Sequence, residues 1–168
     1  MVLANNAKSH ANTLRVRRAL GSMDTEEYIA KLFVDAGWHE GRQVEGQNQT
    51  LSASSAAHKN AASVLAEFGG LNVGEVGPGR ELSASDISFR TEAFDFGNEF
   101  HNYWQSLDVS LYAFASAHHD HMLLLVDDQN NFYIFTDPGE QLYKVGSFEE
   151  TMKRVLLGIN YGTALEKA

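Results

Sequence analysis

The chain has no cysteine. Disulfide scaffolds, thiolate metal sites and cysteine nucleophiles are therefore excluded. No apolar run approaches the roughly 20 residues that span a bilayer. Basic residues are scarce, with 13 Lys and Arg against 22 Asp and Glu and a net charge of -9. Affinity for nucleic-acid phosphates is built from clustered Lys and Arg, so this balance argues against direct nucleic-acid binding. Catalytic motifs are missing too. There is no G-x-S-x-G nucleophile elbow and no H-E-x-x-H zinc motif. Gly74 to Gly79 (GEVGPG) is glycine-rich, but it contains a proline and lacks the Lys-Ser/Thr of a phosphate loop. It reads as a turn.

What is present is a chain of 168 residues, 43% hydrophobic, which is enough for one domain with a real core. Its charge is uneven. Residues 1–22 hold Lys8, Arg15, Arg17 and Arg18 and no acid, so they contribute +4 and leave -13 for the rest. This basic leader lacks the apolar centre of about 7–15 residues that a secretory signal needs. Gly21-Ser22-Met23 reads as a cloning scar or an upstream extension before a start at Met23. The expected organisation is a leader over 1–22, a domain over 23–160 and a frayed tail over 161–168.

Periodicity supplies the elements. Asp24 with Glu27 resembles a capping box, and Ile29, Leu32, Phe33 and Ala36 then share one helical face up to Gly37. After a polar loop over 46–55, Ala61, Val64, Leu65 and Phe68 form a second helical face that stops at Gly69-Gly70. Leu71–Val76 and the alternating run around Ile87, Phe89 and Thr91 read as strands. Phe100, Tyr103, Trp104 and Leu107 suggest a third helix over about 98–107. Strand-like runs follow over 111–116, 121–126 and 131–136, with a short edge strand over 142–145. Met122 to Val126 is continuously apolar, as expected of a mid-sheet strand covered on both faces. Ser147 with Glu150 caps a last helix over 148–157. Helices at both ends of a run of antiparallel strands make an α+β pattern.

No catalytic constellation stands out. His118-His119-Asp120-His121 carries good ligands for zinc or nickel, but a two-histidine site needs a third ligand and no partner motif supplies it. A polar turn between strands fits the segment better. Asp127-Asp128 likewise reads as a hairpin turn rather than a cation site, because Asp side chains bond the local backbone there. Trp38 follows the first helix directly and reads as a core residue. The remaining feature is acidic. Glu75, Glu81, Asp86, Glu92, Asp95, Glu99 and Asp108 face only Arg80 and Arg90 between residues 75 and 108. With Tyr103 they are the candidate partner-binding residues, complementary to a basic protein.

The order of motifs is informative. Ala36-Gly37-Trp38 runs to Gly41-Arg42-Gln43-Val44, and Glu67-Phe68-Gly69-Gly70-Leu71 ends the second helix. Phe94-Asp95, Leu111-Tyr112, Leu123-Leu124-Leu125-Val126, Phe132-Tyr133 and Leu156-Leu157-Gly158 follow. This order resembles the SUKH superfamily, and most closely its third family of bacterial immunity proteins, over about residues 24–159. The resemblance implies an α+β domain with a central, mostly antiparallel sheet flanked by helices. It also implies a non-enzymatic, cofactor-free protein of the bacterial cytoplasm. Such a protein neutralises a cognate polymorphic toxin, often a nuclease, by direct binding. Two alternatives remain: a regulatory or scaffold module of the same fold, and a small metal-dependent hydrolase built on residues 118–121.

Overall fold

The computed structural model describes residues 24–45, 55–96 and 107–167. The leader, the loop over 46–54 and most of the expected helix over 98–107, with Glu99 and Tyr103, lie outside the described residues. Three helices and six strands are seen, in the order α1 (Thr25–Asp35), α2 (Ala56–Phe68), β1 (Asn72–Val73), β2 (Ile87–Asp95), β3 (Tyr112–Ala117), β4 (Met122–Val126), β5 (Phe132–Thr136), β6 (Gln141–Lys144) and α3 (Phe148–Leu157). The strands form one sheet in sequence order, and every neighbouring pair is antiparallel. The α+β class read from the sequence is thus the class observed.

The three described helices serve one apolar cluster. Phe33 of α1, Phe68 of α2, Phe89 of β2, Phe114 of β3 and Phe132 of β5 belong to it, and Phe148 of α3 packs against it. Phe148 stacks on Phe68 at 5.0 Å and meets Phe132 edge-on at 5.7 Å. Each such buried ring contributes on the order of 1.5–3 kcal/mol through the area it removes from water. A second cluster holds Phe96, Leu111, Ala113, Leu125, Tyr133, Phe135 and Leu142. Along β4, Leu124 and Val126 enter the first cluster and Leu125 the second. Alternation across a strand with two apolar faces explains the unbroken Met122–Val126 run.

Two bulges adjust the sheet. Ala113 pairs with Leu125 and Ala115 with Leu124, so Phe114 is the extra residue that turns into the helix-side core. Between Phe89 and Phe94, β2 advances five residues while β3 advances two, from Ala115 to Ala113. Arg90, Thr91 and Glu92 bulge out to solvent there, so Thr91 does not continue the buried alternation of Ile87 and Phe89.

Helix ends follow local chemistry. Ser147 accepts from the Glu150 N–H at 3.1 Å, as its capping box requires, and Gly158 closes α3 in the left-handed region at φ 62°. Asp24 stands at the N-cap of α1 but makes no side-chain capping bond. The first strand is shorter than Leu71–Val76. Gly74 leaves β1 at φ 75°, and a bridge between Gly77 and Ala84 folds the following loop away from the sheet. The tail is not frayed through its described residues. Ala164 bridges Tyr143, the Leu165 N–H reaches the Leu142 carbonyl at 2.7 Å, and Tyr161 packs on Tyr143. This contact covers the β6 edge.

Candidate partner-binding surface

The two histidine- and aspartate-rich segments are turns, built by different means. His118, His119 and Asp120 all take positive φ, at 52°, 53° and 67°. Three successive left-handed residues are costly without support. Support comes from Asp86, whose carbonyl accepts from the His118 N–H and whose Oδ1 accepts from the His119 N–H at 3.1 Å. Ser116 donates to Asp120, and His118 Nδ1 lies 3.0 Å from Ser85 Oγ. Among the described residues, no three His, Asp or Glu side chains gather closely enough to hold a metal ion. The cluster's geometry is that of a turn joining β3 to β4.

Asp127 is the hub of the β4–β5 turn. Its Oδ1 accepts from the N–H groups of Gln129 and Asn131, and its Oδ2 accepts from Asn131 Nδ2 and Tyr133 Oη, all within 2.9 Å. Only 1% of Asp127 is exposed. Burial alone would push its carboxyl up, but bonds from Asn131, Tyr133 and Gln129 outweigh that and hold it below the ordinary carboxylate value. Burial and the bond to Asp127 push the Tyr133 hydroxyl far above its ordinary value. Asp128, beside it, is exposed.

The sheet register divides the acidic candidates. Ile87, Ala117, Met122 and Thr136 line up at one sheet end, and Asp95, Tyr112, Val126 and Phe132 at the other. Glu75, Glu81 and Asp86 belong to the first end. Asp86 is tied to the 118–121 turn, and Glu81 accepts from the Asn160 N–H at 2.7 Å. Asp95 and Asp108 belong to the second end, next to the turn that exposes Asp128. Tyr112 donates to Asp95 at 3.2 Å, and the His58 ring stacks on Tyr112 at 5.0 Å. Burial, with a further contribution from Asp95, raises the Tyr112 hydroxyl above its ordinary value. Glu92 sits on the β2 bulge between the two ends. The structure thus separates residues that look like one run in sequence.

The second sheet end also opens a groove of about 500 Å³ between α2, the turn at Asn130 and the start of α3. Asn60 and Glu67 of α2 and Glu149 of α3 are on its walls. Sequence reasoning missed it, because no local pattern tells that two helix ends and a hairpin turn enclose a space. The only hint was the acidic and amide character of those positions.

The glycine and aromatic motifs have structural work. Trp38 is buried and donates from Nε1 to Glu67 at 3.0 Å. Arg42 donates to the carbonyls of Glu67 and Gly69, and the Val44 N–H reaches the Ala66 carbonyl at 2.8 Å. The segment from Trp38 to Val44 therefore straps the C-terminal end of α2 and satisfies carbonyls that a helix end leaves open. A Cβ on Gly69 would fall 2.5 Å from the Leu65 carbonyl, which explains a small residue there. These are the positions that gave the sequence its family character, and the SUKH-3 immunity protein family matches residues 25–158.

The chain belongs to the SUKH-3 immunity protein family. The match spans α1 through the Gly158 cap of α3, so it covers every described helix and strand. No curated protein and no solved structure matches the chain. No described helix is long and apolar enough to cross a membrane.

Proposed function

We propose that this SUKH-3 protein binds and neutralises a cognate bacterial toxin in the cytoplasm, acting as a stoichiometric blocker and not as an enzyme. The family match over residues 25–158 carries the reading. The charge supports it. Outside the leader the chain carries -13, and a nuclease toxin presents a basic, phosphate-binding face that such a surface complements. Glu75, Glu81, Asp86, Glu92, Asp95, Glu99, Asp108 and Tyr103 are the proposed contact set. Within it the Asp95–Asp108 end is the stronger half, because exposed Asp128 extends it and the groove opens beside it.

Exposed charges at an interface rim act mainly on the association rate, through steering that salt screens. The double variant D108K/D128K is expected to slow association with the toxin encoded beside this gene by about tenfold or more at low salt. Its association rate should also depend less on ionic strength. E75K, at the other sheet end, should have a smaller effect. Stopped-flow binding at two salt concentrations measures this. An association rate and salt slope unchanged in D108K/D128K would remove the acidic end from the interface.

A further inference from the structure

We infer that the groove between α2 and α3 is a receptor for an arginine side chain presented by the toxin, a proposal that rests on the toxin-binding reading above. Its lining is one-sided. Glu67 and Glu149 contribute carboxylates, and no Lys, Arg or His lines it. Asn60 commits an N–H to the Asp127 carbonyl at 2.8 Å, which leaves its side-chain oxygen as an acceptor. The rings of Phe68, Phe132 and Phe148 also border the space. Carboxylates above aromatic faces suit a guanidinium better than any other common side chain. It is planar, always charged, stacks on rings and bonds carboxylates in pairs.

The receptor is also preorganised. The Trp38 Nε1 bond at 3.0 Å fixes Glu67, so its carboxylate does not have to be ordered on binding. Phe148 is held by its stack on Phe68 and its edge contact with Phe132. Arg42 does not compete for the space. It is spent on the Glu67 and Gly69 backbone carbonyls and does not line the groove. One feature opposes a cation. The N-terminus of α3 carries partial positive charge, though Ser147 already accepts one of its N–H groups and the first turn holds Glu149 and Glu150. An acidic side chain is therefore the rival occupant, and the test must separate the two.

The test uses small probes and the toxin in parallel. In amide NMR spectra of the full chain, Nα-acetyl-arginine amide should produce saturable shifts at Ser63, Asn130, Gly146 and Glu149, with a Kd on the order of 10 mM. Nα-acetyl-glutamate amide should leave them unmoved. The E67Q/E149Q variant should weaken the arginine probe and the toxin by about tenfold or more each. Glutamine at 67 keeps an acceptor for Trp38, and thermal melting checks that the fold survives. Ser63→Arg, at an exposed position on α2, is a second variant that supplies a guanidinium in cis. It should abolish the probe's shifts and weaken the toxin. Preference for the glutamate probe, equal response to both probes, or no saturable response overturns the proposal. So does unchanged toxin affinity in both variants. In that last case the toxin still binds elsewhere and the functional reading survives. Failure of the unmutated chain to bind the toxin removes the functional reading itself, and the toxin's arginine with it.

Discussion

Replacing Asp127 with alanine is expected to lower the stability of the fold by about 3–5 kcal/mol. The side chain accepts four hydrogen bonds, from two backbone N–H groups, the Asn131 amide and the Tyr133 hydroxyl. Alanine would strand these donors beside a cavity. The Tyr133 residue is only 2% exposed, so water cannot easily replace the lost acceptor. Asp127→Asn should cost less, because one carbonyl oxygen remains to accept. Urea denaturation monitored by fluorescence gives both values. A loss below about 1 kcal/mol for alanine would mean that the turn is held by other contacts.

The same residue makes a pH prediction. The folded-state carboxyl titrates below its unfolded value, so its contribution is fully present above the unfolded value and is lost as pH falls through the folded one. The stability gap between the unmutated chain and Asp127→Asn should therefore be constant near neutrality. It should narrow in acid. A gap that widens as the pH is lowered would reverse the assigned direction.

Gly79→Ala is expected to be the second most damaging small substitution, at about 3 kcal/mol or more. A Cβ at 79 would lie 2.2 Å from the Leu82 carbonyl oxygen, 2.7 Å from Ala84 N and 2.8 Å from Gly158 Cα. All three are backbone atoms, so no rotamer change can relieve the clash. The loop sits this close because it caps α3. The N–H of Arg80 reaches the Leu157 carbonyl at 2.8 Å, and those of Glu81 and Leu82 reach the Gly158 carbonyl at 2.8 and 2.7 Å. Ser85 N–H reaches the Val155 carbonyl at 3.0 Å. A methyl group at 79 pushes the loop off the helix end and loosens these bonds together. Gly77→Ala is the matched control, since a Cβ there meets nothing within 4 Å. Hydrogen exchange should show the Arg80, Glu81 and Leu82 amides losing protection in the first variant and keeping it in the second. Equal melting temperatures for the two would contradict the clash.

Much of this architecture was written locally. The Ser147–Glu150 box and the Met152, Val155, Leu156 stripe mark α3, because capping and a 3.6-residue period are local properties. The five apolar residues of β4 announce a strand with two covered faces. What was hidden depends on distant partners. β1 ends at Val73 because the next residues leave to cap a helix some eighty positions away. The β2 bulge is set by its pairing with β3, and Ala164 stays in place because Tyr143 offers a strand edge. Three consecutive left-handed residues at His118–Asp120 cannot be read without Asp86, which comes from another strand's start.

The candidate surface shows the same division. Its acidity was legible, because charge is a matter of counting. Its shape was not. Glu81 and Asp86 proved to be partly engaged in holding loops, while Asp108 and Asp128 joined across the sheet end. The Glu67–Glu149 groove needed two helices, a strap and a turn to be assembled before it existed.

The most direct measurement is a titration of the neighbouring toxin's activity with this protein, paired with the mass of the complex in solution. Activity should fall linearly and reach zero at one equivalent, with a complex of one copy each. Full toxin activity in the presence of a large excess of folded protein, with no complex in solution, would contradict the account.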